Sequence, residues 1–327
     1  MKQKLIISIL CILAIPHRMA AQDSLLTEPL TFESHGNPII RRVHTADPAA
    51  LVVGDTLWLY CGHDYKGGQT GYRMYDWLVF STTDMVHWTE YPIPLSVGDL
   101  VWNKGRGAWA GQVIERGGRY YWYVCSGADG IGVAVADRPQ GPFRDAVGHP
   151  IVTNADCFDS THSWVCIDPT VFIDDDGQAW LFWGNKECYY APLAENMTEL
   201  SGPVRRVQFP DEHPFTEAPW VYKHDGHYYL VYASEWPEKC AYAMAESIHG
   251  PWQFKGIISE LSGNCNTTHP AIVQFHGQWL FFTHNGGLPD GTSHSRSVVA
   301  EPMQYAPDGS ILKIHPSTEG VGKISNL

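Results

Sequence analysis

The pattern that decides the fold is clearest in residues 220–232, WVYKHDGHYYLVY. A short apolar run, Trp220-Val221-Tyr222, precedes the pair Asp225-Gly226, and an alternating aromatic run, His227–Tyr232, follows it. An Asp-Gly pair between β-branched or aromatic runs is the strongest short-range signal of a β-hairpin. The stretch therefore predicts two antiparallel strands joined by a tight turn.

This hairpin pattern occurs five times along the chain, and a weaker second hairpin follows each copy. Four strands repeated radially at this spacing form one blade of a β-propeller. We therefore predict an all-β fold, a five-bladed β-propeller with four antiparallel strands per blade. The alternative, a two-sheet sandwich, does not explain the fivefold register. The copies begin at Asp47-Pro48, Trp109-Ala110, Asp168-Pro169, Glu217-Ala218-Pro219 and His269-Pro270.

The composition agrees with many short strands joined by turns. Of 327 residues, 13% are aromatic and only 17% are charged, and the chain contains 31 Gly and 22 Pro. Such a chain is too apolar to be disordered and unlike a helical bundle. Its length is sufficient to bury a large core.

Residues 1–21 have the form of an export signal. A basic start precedes the apolar run Leu5–Ile15, and Met19-Ala20-Ala21 offers small residues at a cleavage point. The run is too short to cross a membrane; a core helix, or a lipid anchor at Cys11, is the alternative. We expect an exported protein, periplasmic or secreted, whose residues 22–327 form a single propeller domain.

Charge and cysteine content narrow the possible partners. Cleavage would remove three basic residues and no acid, which changes the formal net charge from −13 to −16. This charge argues against nucleic acid or an anionic membrane surface as a partner and suits a neutral substrate.

Seven cysteines would remain after cleavage, and they contain no C-x-x-C motif. Cys157 with Cys166 is the only locally suggestive disulfide pair. The oligomeric state stays open.

The repeat register predicts a pocket on the propeller axis. The first strand of each blade lines the central channel, so the residues that open the five copies should converge there. Three of them are carboxylates, Asp47, Asp168 and Glu217, and buried acids are costly unless they are paired or functional. Proline after an acid could also mark only a strand-entry turn. Paired carboxylates without a nucleophile motif indicate glycoside hydrolysis by an acid and a base with separated pKa values.

Four motifs together resemble glycoside hydrolase family 43 over nearly the whole mature chain. The resemblance implies a five-bladed propeller of inverting enzymes that act on arabinose- and xylose-containing glycans. It implies release of α-L-arabinofuranose or β-D-xylose from arabinoxylan, arabinan or xylo-oligosaccharides. The motifs are His44-Thr45-Ala46-Asp47-Pro48-Ala49, Trp109-Ala110-Gly111-Gln112-Val113, Ile167-Asp168-Pro169-Thr170-Val171-Phe172 and Thr216-Glu217-Ala218-Pro219.

The resemblance also implies roles for single residues. Asp47 matches the general base, Glu217 the general acid, and Asp168 the third acid that tunes and orients the general acid. His269 matches a histidine that in many members faces a bound calcium ion near the axis; a hydrogen-bonded channel histidine without metal is the alternative. No organic cofactor is expected.

Several further residues are candidates for binding the sugar. Trp109 fits an aromatic wall, with a core tryptophan as the alternative. Arg296 resembles an arginine directed at sugar hydroxyls, with a surface ion pair as the alternative. Weaker candidates are Trp77, Phe215, Trp102 and His63.

Other functions remain open from sequence alone. They include an endo-arabinanase, a fructan hydrolase, a glycoside phosphorylase and a non-catalytic sugar-binding propeller. The motif Ala46-Asp47-Pro48 lacks the Asn of a fructan hydrolase, and basic residues for phosphate are sparse. Asp174-Asp175-Asp176-Gly177 could suggest a calcium loop, but its place between two strands favours a hairpin turn.

Overall fold

The computed structural model of the protein describes residues 25–66, 71–104, 107–127, 129–209, 212–261 and 263–325. The predicted signal segment, residues 1–21, lies outside the described residues. Within them, the strands form five antiparallel sheets in sequence order. The predicted all-β fold is confirmed.

Twenty-one strands make up these sheets. The first blade contains β1 (Leu30–Glu33), β2 (His44–Val53), β3 (Thr56–Asp64), β4 (Asp76–Thr82), β5 (His87–Glu90) and β6 (Leu95–Ser96). The second contains β7 (Ala108–Arg116), β8 (Arg119–Ser126), β9 (Ile131–Ala136) and β10 (Arg144–Asp145). The third contains β11 (Thr170–Ile173), β12 (Ala179–Trp183), β13 (Tyr189–Pro192) and β14 (Arg205–Arg206). The fourth contains β15 (Phe215–His224), β16 (His227–Ser234), β17 (Lys239–Ala245) and β18 (Gln253–Ser259). The fifth contains β19 (Ala271–Phe275), β20 (Gln278–Asn285) and β21 (Ser297–Met303).

The five sheets close into a ring through their first strands. Each first strand contacts the first strand of the next blade, and β19 contacts β2. The ring is therefore the predicted five-bladed propeller. The four-stranded pattern holds in the second, third and fourth blades.

The first and fifth blades differ from the predicted strand number. The first blade has two extra strands: the N-terminal segment adds β1 to the outer edge, where Leu30 pairs with Glu90, and the two-residue β6 pairs with β4. The fifth blade has three strands because the chain after Met303 leaves it and packs on the fourth blade, where the Ile314 amide donates to the Ile258 carbonyl at 2.6 Å.

The predicted hairpins have the expected turns and registers. In the fourth blade, His224 pairs with His227 across Asp225-Gly226, and both turn residues have positive φ, 47° and 81°. The run Asp174–Gly177 is likewise a hairpin turn between β11 and β12, closed by the Gly177 amide on the Asp174 carbonyl at 2.9 Å. The aromatic residues of these strands fill the blades, as Trp77, Trp122 and Trp183 illustrate, each at most 1% exposed.

The seven described cysteines are buried free thiols, including Cys157 and Cys166. The suggested disulfide is therefore not formed in this structure.

Two short 3₁₀ turns, Val97–Asp99 and Asn154–Asp156, are the helical elements of the described residues. No helix in the described part of the chain is long and apolar enough to cross a membrane.

A β-bulge at the start of the first strand sets the position of the axial residues. In β2, the pairing shifts between Ala46 and Ala49, so Asp47-Pro48 bulges. In β15, the equivalent shift falls after Glu217, so Ala218-Pro219 bulges. Asp47, Asp168 and Ala218 share the left-handed backbone, with φ of 50°, 55° and 56°. The predicted register is therefore wrong by one residue at Glu217, because Ala218 occupies the position of the two aspartates.

Candidate active site

A cavity of about 790 Å³ opens at the axial end of the first strands. It brings together most of the residues singled out from the sequence. Despite its shifted register, Glu217 faces the same cavity as the two aspartates. The predicted residues that line it are Asp47, Trp109, Asp168, Phe215, Glu217, His269 and Arg296.

Trp77 is not a wall of this cavity, so its prediction as a sugar-binding residue is wrong. Its side chain is 1% exposed, and its indole N–H donates to the Trp109 carbonyl at 2.7 Å. Trp77 thus supports the backbone of Trp109 from within the core. Trp102 and His63 also lie outside the lining: Trp102 packs on Gly132, and His63 bonds to Asp76 at 2.8 Å.

Asp47 is held ionised by two cationic neighbours. Arg296 donates from Nη1 to Oδ1 of Asp47 at 2.8 Å, and His284 Nδ1 lies 3.3 Å from the same oxygen. Burial alone would raise the pKa of Asp47, but the Arg296 guanidinium and His284 lower that pKa well below its usual range. Asp47 is therefore a carboxylate at neutral pH.

His284 was not anticipated from sequence. Burial would lower its pKa, but contacts with Asp47 and Cys265 raise the pKa to about 9. Nδ1 also lies 3.1 Å from the Asp47 amide nitrogen, and it cannot donate to the carboxylate and accept from the amide at once. The protonated form that its pKa favours directs Nδ1–H at the carboxylate.

Arg296 is itself fixed from two sides. Its Nε and Nη2 donate to the carboxylate oxygens of Asp64 at 2.8 Å and 3.0 Å. Tyr72 lies under the guanidinium, 4.6 Å from ring centre to Cζ. Arg296 is 4% exposed, so the surface ion pair considered from sequence is excluded. Because the guanidinium is planar and has several N–H donors, this one side chain donates to Asp64 and Asp47 at the same time.

Glu217 has the opposite electrostatic environment to Asp47. It is half-buried, and Asn185 donates from Nδ2 to its Oε2 at 2.6 Å. Burial and repulsion from Asp47 raise the pKa of Glu217, against the lowering effect of Asn185 and Arg296. The same cavity thus contains an acid whose pKa is raised and a base whose pKa is lowered, which is the separation that acid–base catalysis requires.

Asp168 interacts with both Glu217 and Asp47 through their charges. Its Oδ2 accepts the Ala218 amide at 3.1 Å, so it fixes the backbone next to Glu217. Burial and the charges of Glu217 and Asp47 raise the pKa of Asp168 well above its usual range.

His269 lies between the aspartates, with Nδ1 3.8 Å from Asp47 Oδ1 and 4.0 Å from Asp168 Oδ2. Burial lowers its pKa to about 4, although the Asp47 charge opposes this, so the imidazole is neutral. The described residues contain no group of three or more His, Cys, Asp or Glu side chains that could hold a metal. Calcium takes six to eight oxygen ligands, so these side chains do not form a calcium site by themselves.

Several site residues were missed because they do not open a first strand. Glu238 and Asn185 line the cavity beside Glu217, and Trp164 and Trp236 stand at its margin. One signal was present in the sequence: Asp64 and His284 are polar residues at the ends of aromatic second strands, β3 and β20. Because a hairpin returns its second strand to the level where the first begins, such residues lie beside the axial groups: His284 contacts Asp47, and Asp64 contacts Arg296.

The model of glycosyl hydrolases family 43 matches residues 35–311. A xylosidase/arabinosidase 43A from Humicola insolens is 30% identical, with 85% of this chain and 99% of that protein covered.

Two solved structures have the same fold. One is a β-xylosidase/α-arabinofuranosidase from a compost microbial metagenome, in complex with xylotriose and in a calcium-free form. It has a TM-score of 0.78 and 27% identity, covering 87% of this chain and 98% of that one. The other is a GH43_1 enzyme from Xanthomonas citri with xylose, at a TM-score of 0.77 and 30% identity, covering 88% and 96%.

The family match spans all five blades and every axial residue from Asp47 to Arg296. The pKa of Asp47 is lowered and that of Glu217 is raised, as hydrolysis of a glycosidic bond by a base and an acid requires. The chain belongs to glycosyl hydrolases family 43 and is a glycosidase.

Proposed function

We propose that the protein is an inverting, exo-acting glycosidase that releases a terminal pentose, α-L-arabinofuranose or β-D-xylose. Its substrates are hemicellulose-type glycans such as arabinoxylan, arabinan or xylo-oligosaccharides. The observation that carries the proposal is the pairing, in one cavity, of an ionised Asp47 with Glu217, whose pKa is raised. The xylosidase and arabinosidase names of the relatives support the pentose.

In this mechanism, Glu217 gives its proton to the glycosidic oxygen as the bond to the anomeric carbon breaks. Asp47 removes a proton from the water that attacks the opposite face of that carbon, so the sugar leaves with inverted configuration. Solvent then returns a proton to Glu217 and takes one from Asp47. The sum is the addition of one water molecule across the glycosidic bond.

The remaining residues bind or orient. Trp109 and Phe215 provide aromatic walls for the sugar ring. Arg296 keeps Asp47 ionised and directed into the cavity. Asp168 fixes the strand next to Glu217 through the Ala218 amide. A calcium ion near His269 stays a prediction; metal analysis of the purified protein tests it.

The variant Glu217→Ala tests the central assignment. We expect about 10²–10⁴-fold loss of kcat/KM on xylotriose or arabino-oligosaccharides, whose leaving group needs a proton. On aryl pentosides with an acidic phenol, the loss should be much smaller. The exposed Glu246→Ala is the matched control. Near-wild-type hydrolysis of the oligosaccharide by Glu217→Ala would refute the proposal.

Product analysis distinguishes exo from endo action. A terminal-releasing enzyme yields monomeric pentose from the first minutes on arabinan and arabinoxylan, whereas an endo-arabinanase yields oligosaccharides. Binding without any turnover on either polymer would favour a sugar-binding propeller.

We also propose that residues 1–21 are an export signal removed before Gln22. The support is the basic start and the short apolar run Leu5–Ile15. Mass spectrometry of the mature N-terminus tests it, and an intact Met1 on exported protein would contradict it.

A further inference from the structure

Two tryptophans at the cavity margin are unusually exposed. Trp236 is 67% exposed and Trp164 is 46% exposed, and both line the cavity that holds the carboxylates. Large apolar side chains left open at the margin of a pocket mark a surface that a ligand covers. Indole rings suit the apolar face of a pyranose ring, while their N–H groups stay hydrated.

The tryptophans belong to the side of the cavity that holds Glu217. Trp236 lies in the turn between β16 and β17, in the blade that carries Glu217 on β15. Trp164 packs on His162, with ring centres 4.5 Å apart, and His162 Nε2 bonds to the Asn185 carbonyl at 3.1 Å. Asp47 and Arg296, in contrast, belong to the first and fifth blades.

A general acid stands beside the leaving group, because it must reach the glycosidic oxygen. We propose that Trp164 and Trp236 form a binding site for the leaving group, a chain of neutral pyranose units that continues out of the cavity. This inference rests on the proposed function and names the part of the substrate that remains after the terminal pentose is cut. It makes a linear oligosaccharide a better substrate than a pentose with a small leaving group.

The test is binding and kinetics of Trp236→Ala. In a Glu217→Gln background, we expect the Kd for xylotetraose to rise about tenfold, the loss of one aromatic stacking contact. In the otherwise wild-type chain, kcat/KM should fall on xylotetraose and stay unchanged on β-xylosyl fluoride, which has no leaving-group sugar. Trp236→Phe should restore part of the binding, and Leu312→Ala, another exposed apolar truncation, should change nothing.

Unchanged binding and kinetics in Trp236→Ala would overturn this site, as would equal losses on xylotetraose and the fluoride. If the parent protein binds xylotetraose through Trp236 but releases no pentose, the proposed function fails while the site stands. If the parent protein does not bind the chain at all, the site is wrong.

A second, independent feature is a fourth carboxyl group beside Glu217. Glu238 is 1% exposed and lines the cavity, and its Oε2 accepts the Thr268 amide at 2.7 Å. A side-chain hydrogen bond joins its carboxyl group to that of Glu217. Two carboxylates accept only, so this contact requires a proton between them.

The surroundings of Glu238 indicate which residue carries that proton. Besides Glu217 and the Thr268 amide, it faces Asp168 and Cys265. Burial and the Glu217 charge raise the pKa of Glu238 to about 10, against the lowering effect of the amide. Glu238 is therefore a neutral donor at neutral pH. Glu217 faces, in addition, Asp47, Asn185 and Arg296.

We propose that Glu238 is a positioning residue that holds a proton facing Glu217 and stabilises the Glu217 carboxylate formed when the leaving group is protonated. The O–H bond of Glu217 breaks and its proton passes to the glycosidic oxygen, while Glu238 keeps its own proton and donates a hydrogen bond. The donor lowers the pH at which Glu217 loses its proton, so Glu238 helps to set the alkaline limit of activity.

The variants Glu238→Gln and Glu238→Leu test this role, because the amide still donates a hydrogen bond whereas leucine cannot. Without the donor the Glu217 carboxylate is less stable, so in Glu238→Leu kcat/KM on xylotriose should fall and its alkaline limb should move to higher pH. Glu238→Gln should keep the wild-type limb and most of the activity. Activity on β-xylosyl fluoride, which needs no proton, should stay near wild type in both variants. The exposed Glu260→Gln is the control. An unmoved alkaline limb in Glu238→Leu would overturn the proposal, and so would equal loss on both substrates at every pH.

Discussion

The Arg296 guanidinium donates to Oδ1 of Asp47 at 2.8 Å, across 249 residues of sequence. The contact joins the first blade to the fifth, where the ring closes. The same guanidinium binds both oxygens of Asp64, so the protein's own side chains hold it in place. One buried arginine therefore fixes the charge of the base and helps to hold the two end blades together.

Replacement of Arg296 by lysine should move the acidic limb of the pH profile upward. A lysine ammonium cannot serve Asp64 and Asp47 together, so Asp47 loses part of the attraction that keeps its pKa low. A base whose pKa rises becomes protonated at a higher pH. As the pH is lowered, kcat/KM of the variant should therefore begin to fall at a higher pH than that of the wild type. The exposed Arg119→Lys is the control, and an unmoved acidic limb in Arg296→Lys would count against the assignment of Asp47 as base.

Asp47→Asn should lose activity on every substrate. The base acts on water, so its loss does not depend on the leaving group, and we expect about 10²–10⁴-fold lower kcat/KM on xylotriose and on aryl pentosides alike. This result contrasts with Glu217→Ala, which spares the aryl substrates. Asp137→Asn, on an exposed residue, controls for the substitution. If Asp47→Asn lost activity only on substrates with poor leaving groups, Asp47 would be the general acid and not the base.

The configuration of the first product should be inverted. Water activated by Asp47 attacks from the face opposite Glu217 in a single displacement. Proton NMR of the anomeric region, recorded before mutarotation, should show β-L-arabinofuranose from an α-linked substrate or α-D-xylose from a β-linked one. Retained configuration would require a covalent intermediate and would reject the proposed mechanism.

Much of the fold and part of the site could be predicted because the signals are local. Each hairpin is encoded by a glycine turn between apolar and aromatic runs, and the axial place of Asp47 and Asp168 follows from the repeat. The offset of Glu217 was also encoded: Pro48 and Pro169 directly follow the aspartates, whereas Pro219 follows Ala218. Alignment on the prolines would have placed Ala218, not Glu217, at the shared position.

The other site residues depend on contacts that sequence spacing does not define. Asn185 reaches Glu217 from the end of a strand in the neighbouring blade, and Glu238 enters from a turn. The prediction of Trp77 as a sugar-binding residue was wrong because the sequence of a blade strand does not show whether an aromatic residue faces the cavity or the core. The outer strand β1 of the first blade and the missing strand of the fifth follow from where the two terminal segments pack.

The contact between the second and third blades should be sensitive to one buried amide. Gln112 accepts the Val171 amide on Oε1 at 2.8 Å and donates from Nε2 to the Val171 carbonyl at 3.2 Å, and Thr170 also donates to Oε1. Gln112→Ala leaves these buried groups without partners, so the free energy of unfolding should fall by about 2–4 kcal/mol. Because Gln112 does not line the cavity, kcat/KM at 25 °C should change by no more than about threefold. Urea unfolding measures the first quantity, and the exposed Gln274→Ala should leave it unchanged within about 0.5 kcal/mol. Equal stability of the two variants would show that other contacts hold these blades together.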